Sequence, residues 1–402
     1  MDLKEEALKL HKENKGKIEL TSKVQVEDEE DLTLAYTPGV AEPCREIEKE
    51  EEKVYDYTAK GNLVAVVSDG TAVLGLGDIG PEASLPVMEG KAVLFKRFAN
   101  VDAFPVCLDT KDPDEIVETV KRMEPTFGGV NLEDISAPRC IEVEDRLREE
   151  LDIPVFHDDQ HGTAIVVLAG LINAAKYASK DLAELEIVIN GAGEAGLAIA
   201  NILLEVGVGD IVLVDKCGAI TPDTEGINWA QKEMAKRTNS SSVKGDLEDV
   251  IVGRDVFIGV SAPDLVSSEM VSSMAQNPII FALANPVPEI KPPAAKEGGA
   301  KVIATGRSDY PNQVNNLLAF PGVFKGALKV RAAKITDKMK TTAAFAVADL
   351  IADQELKEDY IIPASFNEDV VNKVALAVAK EALESNLAKK EISPTELEQE
   401  FK

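Results

Sequence analysis

The sequence predicts an α/β protein: an N-terminal α/β substrate domain, a Rossmann-like parallel-sheet dinucleotide-binding domain and a helical C-terminus. Three observations carry this. From about residue 62, short apolar runs alternate with helical stretches, the pattern of a parallel sheet covered by helices. "INGAGEAGLAI" sets a G-x-G-x-x-G turn between an apolar strand and a helix. From about residue 317 the pattern is helical throughout. The expected boundaries are 1–160, 161–340 and 341–402, with the last segment packing back on the first domain.

The elements follow in order. "EIEKEEEK" (46–53) is a charge run and reads as a solvated helix face. "NLVAVVSD" reads as a strand and "LPVMEGKAVLFKRFAN" as a helix. "AFPVCLD" is a strand, and "DPDEIVETVKRM" is a helix with Asp112 as its cap and Pro113 in its first turn. "GGVNLED", "APRCIEVEDRLREE" and "IPVFHDD" repeat the rhythm. "DQHGTAIVVLAGLINAAKYAS" is a long apolar helix at the domain junction. "EIVIN" and "DIVLVD" flank the glycine-rich turn and its helix, and further strands fall at "DVFIGV", "PIIFALAN" and "KVIAT". The final "ESNLAKKEISPTELEQEFK" reads as a mobile polar tail.

Composition narrows the partners. With 43 basic against 71 acidic residues, the net charge is −28. Nucleic acids and anionic membranes need basic patches, so neither is expected. The N-terminal "MDLKEEALKLHKENKG" is too charged for a signal peptide. The apolar run "AIVVLAGLINAA" is shorter than the ~20 residues a bilayer span needs. Four scattered cysteines suggest neither a disulfide framework nor a zinc site, so a reduced, cytoplasmic protein is expected.

Gly191, Ala192, Gly193, Glu194, Ala195 and Gly196 form the turn that cradles a pyrophosphate at a helix N-terminus. Asp215 closes the next strand, where an acid binds the adenosine ribose and repels a 2′-phosphate. That favours NAD. Lys216 follows at once and blunts the repulsion, so NADP stays open.

Four acids sit at predicted strand ends. Each pair alone, Glu133/Asp134 or Asp158/Asp159, reads as a cap or a solvated loop. Both pairs in one domain point to a hard divalent cation, Mg²⁺ or Mn²⁺, held by carboxylate oxygens. Lys91 has Val87, Met88, Leu94 and Phe95 at helical spacing, so it lies on an apolar face. It is either a snorkelling lysine or a general base whose pKa is lowered by burial. Tyr36 in "AYTPGVAEP" stands on a rigid Pro-Gly corner, as a core tyrosine or a general acid. Asn285, Asn315 and Asn316 close strand or helix ends; such amides bind carboxylates or cap helices.

"AYTPGVAEPC", "LGLGDIGPEASLPVMEGKAVLFK", "NLEDISAP", "FHDDQHGTA", "GAGEAG", "FALANP" and "PNQVNNLLAFPGVFKG" together resemble the short bacterial and archaeal malic enzymes, from about residue 15 to about 380. The resemblance implies Tyr36 as proton donor, Lys91 as general base and Asp158 as the acid paired with that lysine. It implies Glu133, Asp134 and Asp159 as metal ligands. Asn285 (also at the cofactor), Asn315 and Asn316 then bind substrate with Lys91, and residues 191–196 with Asp215 bind the dinucleotide. It implies oxidation and decarboxylation of L-malate to pyruvate and CO₂, oxaloacetate decarboxylation as a side activity, and a homodimer. One departure stands out: larger relatives carry an arginine before "GLGD", and this chain has none there. Two other readings remain. A plain hydroxy-acid dehydrogenase needs no metal and leaves the acidic set without a purpose. A silent dinucleotide-binding regulator leaves Lys91 unexplained.

Overall fold

In the computed structural model, residues 3–73 and 75–402 are described. The first sheet holds β1 (Leu63–Ser68), β2 (Asp102–Cys107), β3 (Gly129–Leu132) and β4 (Val155–His157) in the order β2-β1-β3-β4, all parallel. The apolar run of β1 follows from its place between covered faces. Val64 and Val66 enter one core with Phe95 and Phe156, while Ala65 and Val67 enter another with Ile116 and Leu147. Between β1 and β2 runs the helix Pro81–Leu94, begun by Pro81 in its first turn.

The second sheet holds β5 (Glu186–Asn190), β6 (Asp210–Asp215), β7 (Gly218–Ala219), β8 (Val256–Gly259), β9 (Ile279–Ala282) and β10 (Val302–Thr305). Its order is β10-β9-β8-β5-β6-β7, parallel except at β7, a two-residue strand that the sequence pattern did not suggest. The chain winds away from β5 in opposite directions through β6 and β8. This is the topological switch point where open α/β sheets bind ligands, beyond the carboxyl ends of the strands.

The helix Thr163–Ala178 joins the two sheets and is buried nearly all round, which explains its unbroken apolar sequence. It packs against the helices Glu194–Glu205 and Asp337–Ala348. The return to the first sheet begins before residue 341: in the helix Phe320–Lys329, Phe320 and Phe324 stack edge-on against Phe95, with centroids 4.8 and 5.3 Å away. Gly326 lets the helix Asp369–Glu384 come close, since a Cβ there would lie 2.4 Å from Ala375 O.

The end of the chain departs from the expected loose tail. A capping box between Ser393 and Glu396 starts the helix Pro394–Glu400. Leu397 and Phe401, one turn apart, are buried, and Lys380 and Lys329 pair with Glu398 and Glu400. At the other end, the helices Leu3–Asn14, Glu29–Ala35, Ala41–Lys49 and Val54–Tyr57 bury none of their residues.

Candidate active site

Parallel pairing brings the acids together. Leu132 of β3 is in register with His157 of β4, so Glu133 and Asp158 leave the sheet side by side at its carboxyl edge. The helix Pro81–Leu94 brings Lys91 to the same point. Its Nζ lies 2.7 Å from Glu133 Oε1 and 2.5 Å from Asp158 Oδ2. The Phe320 ring covers the ammonium at 4.3 Å. Of the four helical neighbours, Met88 and Phe95 are buried with Lys91, whereas Val87 is exposed.

Asn316 Nδ2 donates to Asp158 Oδ2 at 2.5 Å, and Asn131 Nδ2 donates to Glu133 Oε2 at 2.9 Å. Asp134 adopts a left-handed φ of 54°, and its backbone N–H donates to Asp159 Oδ2 at 2.8 Å. Gly162 is required here, because a Cβ would fall 1.9 Å from Asp158 Oδ1.

The cluster is short of positive charge. Burial pushes the Asp134 carboxyl up to about 8, aided by Asp159 and Glu194. Burial pushes Asp158 up to about 6 against the pull of Lys91, and lifts Glu133 well above the carboxylate range. For Lys91 the balance runs opposite to the sequence expectation. Burial lowers its pKa, but Asp158, Glu133 and Asp159 outweigh burial and raise it.

A metal cage is not preassembled: among the described residues, no three His, Cys, Asp or Glu side chains are arranged to hold an ion. Glu133 is turned onto Lys91 and Asn131, and Asp159 onto the Asp134 amide. The donor set nonetheless suits a hard divalent cation, all carboxylate oxygens, and Asp134 Oδ2 is buried without a hydrogen-bond partner.

The glycine-rich turn lies at the switch point. Gly191 has φ +109°, and a Cβ on it would meet Val260 O at 2.6 Å; a Cβ on Gly196 would lie 1.8 Å from Gly191 O. Gly193 has open space beside it. The outer glycines therefore serve packing, and the middle one leaves room for a ligand. Ala195 stands in the first turn of the helix that Glu194 opens. The helix Glu194–Glu205 packs against the turn Asp158–Gly162, so the dinucleotide turn faces the carboxylate cluster. Asp215 ends β6, and both its oxygens are engaged, by the Lys216 amide and by Gln231.

Other predicted residues are placed differently. Tyr36 is 67% exposed, and among the described residues no side-chain hydrogen bond joins it to the Lys91 cluster. Asn315 Oδ1 caps the turn Asn316–Leu318 through the Leu317 amide. Asn285, beyond β9, makes a 3.4 Å bond to Leu283 O within its own loop. Sequence reasoning missed Asn131, although strand alternation sets it on the face of Glu133. It also missed a buried brace. Glu144 accepts from Gln160 Nε2 and lies 2.8 Å from His161 Nε2, and Lys340 Nζ stands 3.1 Å from His161 Nδ1. His161 was visible beside the acids, but nothing local marked Glu144 or Lys340 as its neighbours.

Comparison with known proteins fits this geometry. "Malic enzyme, N-terminal domain" matches residues 14–148, and "Malic enzyme, NAD binding domain" matches residues 160–383. The chain belongs to the malic enzyme family. A bifunctional malic/malolactic enzyme of Bacillus subtilis is 60% identical, covering 99% of this chain and 97% of that protein. An NAD-dependent malic enzyme of Geobacillus stearothermophilus is 57% identical over 94% of this chain and 79% of that one. The crystal structure of malic enzyme from Pyrococcus horikoshii superposes with a TM-score of 0.95 at 49% identity, covering 99% of this chain and 95% of that one. This malic enzyme is thus an NAD(P)-dependent oxidoreductase.

Proposed function

We propose that this malic enzyme converts L-malate and NAD to pyruvate, CO₂ and NADH, with the chemistry centred on Lys91. The observation that carries the reading is the Lys91 ammonium, held between Glu133 and Asp158 at the edge of the sheet that faces the dinucleotide turn. Glu133, Asp134 and Asp159 would hold Mg²⁺ or Mn²⁺. When bound, the cation supplies Lewis-acid polarisation of the C2 oxygen, and the nicotinamide supplies the hydride acceptor.

The chain's own residues do the rest. The amides of Asn285 and Asn315 offer N–H donors to substrate carboxylates. Asn316 and Asp158 orient the Lys91 Nζ, which takes the proton of the C2 hydroxyl. That step needs a neutral amine. Neutralising Glu133 and Asp159 weakens the pull that keeps Lys91 charged, which Asp158 then supplies alone against burial, and burial favours the neutral form. Tyr36 delivers a proton to C3 after CO₂ departs. NAD is favoured over NADP because Asp215 faces the ribose with its carboxylate.

A homodimer completes the assembly. Leu20, Leu34, Tyr36 and Tyr57 are large exposed side chains on an N-terminal region that buries no helix of its own chain, and a second copy covers that face. Tyr36 then acts in the partner's site. A cytoplasmic location suits four cysteines with no disulfide and a chain in which no described helix is long and apolar enough to cross a membrane.

The test is turnover with L-malate and Mn²⁺, with NAD or NADP, and with products trapped. Pyruvate and reduced cofactor in equal amounts, lost on chelation, support the reading. Oxaloacetate accumulating without pyruvate overturns it. Lactate is assayed alongside, since the Bacillus subtilis relative is named as malolactic too.

A further inference from the structure

The chemistry described so far gives no task to Glu144, Gln160, His161 and Lys340. Glu144, Gln160 and Lys340 are buried, and His161 nearly so. They come from three parts of the chain. Glu144 lies on the helix Arg139–Glu150, Gln160 and His161 on the turn Asp158–Gly162, and Lys340 on the helix Asp337–Ala348. Glu144 Oε2 accepts from Gln160 Nε2 at 3.2 Å and lies 2.8 Å from His161 Nε2. Lys340 Nζ stands 3.1 Å from His161 Nδ1 and donates to Asp337 Oδ1 at 2.9 Å. The partners assign the tautomer. A carboxylate only accepts and an ammonium only donates, so the neutral ring donates through Nε2 to Glu144 and accepts through Nδ1 from Lys340.

The turn that these groups grip needs support. The Thr163 amide reaches back five residues to Asp158 O, a wider closure than the four of an α-helix. More backbone lies between the bonds, so contacts from outside must fix it. At its start, Asp158 is held by Lys91 and Asn316. At its end, Gln160 and His161 are held by Glu144, and Lys340 backs the ring from the other side. Asp159 stands between the two anchors, partly exposed, with Oδ2 on the Asp134 amide. Its backbone is therefore fixed, and side-chain rotation alone turns its carboxylate from that amide to a cation. A ligand held in this way loses less conformational freedom on binding.

We propose that Glu144, His161 and Lys340 form a brace of positioning residues that sets Asp159 for the divalent cation. The inference rests on the reading of Asp159 as a cation ligand. It assigns the brace no contact with the reacting atoms, so its effect falls on cation affinity and little on kcat once the cation saturates.

The experiment measures Mn²⁺ binding to the full-length enzyme, without malate or dinucleotide, from the loss of the free-ion EPR signal. The variants are Glu144→Leu, Glu144→Gln, Lys340→Met and Asp159→Asn. Leucine removes the acceptor of both Gln160 and His161; glutamine keeps an oxygen that accepts from both. Lys340→Met cuts the brace at its far end and decides the matter if the leucine variant fails to fold. Expected for Glu144→Leu and Lys340→Met is a rise of about tenfold in the Mn²⁺ Kd, the usual worth of a group that orients a metal ligand. Glu144→Gln should keep most of the affinity. The sign for Lys340 is telling: by charge alone, losing a cation tightens Mn²⁺ binding, whereas losing the brace weakens it. NADH titration followed by fluorescence of Trp229, the one tryptophan in the chain, should stay within about twofold of the parent. Folded Glu144→Leu and Lys340→Met with parental Mn²⁺ affinity overturn the proposal. So does an equal loss of Mn²⁺ and NADH affinity, the mark of a merely structural role, or a glutamine variant as weak as leucine. If Asp159→Asn weakens Mn²⁺ binding and the brace variants do not, Asp159 keeps its role and the brace loses its own. If none weakens it, the cation is held elsewhere and both assignments fall.

Discussion

Replacing Lys91 by alanine tests the centre of the site. Lys91 is the cation within salt-bridge reach of both Glu133 and Asp158, at 2.7 and 2.5 Å, and Asp158 is fully buried. Breaking a buried pair by removing one partner costs about 3–5 kcal/mol, because the surviving charge is left unpaired. Here protonation relieves part of that cost. Asp158 already sits at about 6 against an ordinary 3.8, with Lys91 holding it down. Without the lysine its pKa rises further. A carboxyl raised in the folded state favours the fold below its unfolded pKa and loses that advantage as pH rises through the folded value. The variant's deficit against the parent should therefore be small near pH 5 and largest near pH 8. Removing a general base should lower malate oxidation by about 10²–10⁴-fold. NADH affinity should stay within about twofold, since one lost contact outside the dinucleotide turn leaves that binding free energy unchanged. The assay is initial rate at saturating malate and Mn²⁺, with thermal melts at both pH values and a Trp229 titration. Retention of more than about one part in a hundred of the parent rate would refute Lys91 as the base, given the size of the effect such groups supply.

The remaining predictions probe other links. Gly193→Ala should fold normally, because open space surrounds its Cβ position, yet bind NADH poorly; Gly196→Ala should lower the melting temperature, because its Cβ would lie 1.8 Å from Gly191 O. Equal melting temperatures for the two would contradict the division of roles in the turn. Asp134, at about 8, favours the fold below 3.8 and loses that contribution as pH rises through about 8, so stability in chelator should fall over that range. Mn²⁺ should restore it, with a larger gain in melting temperature at pH 8 than at pH 5; no gain at either pH argues against a cation among these carboxylates. Finally, Tyr36→Phe and Lys91→Ala should each be inactive alone, and mixing them after subunit exchange should recover part of the parent rate. No recovery, with exchange shown by mass, would rule out a tyrosine supplied by the second copy.

Much of this protein was determined by local sequence. Strand and helix alternation, the capped start at Asp112 and the glycine turn depend on neighbours a few residues apart, and each can be read from spacing. The convergence of Glu133 with Asp158 was readable too, since parallel strands bring their carboxyl ends to one edge. The tertiary structure decided what faces what. The charge state of Lys91 depends on how many carboxylates surround it, and three outweigh the burial that local sequence announces. Asn315 and Asn316 are adjacent, yet one caps a turn and the other reaches Asp158, a choice made by the direction of the chain at that corner. Gln231 looks like any polar residue in a helix until β6 and the glycine turn are folded against it. Tyr36 has its motif, and the fold leaves it exposed. Contacts between residues far apart in sequence carry no local signature, because their energy exists only once the folded chain has brought them together.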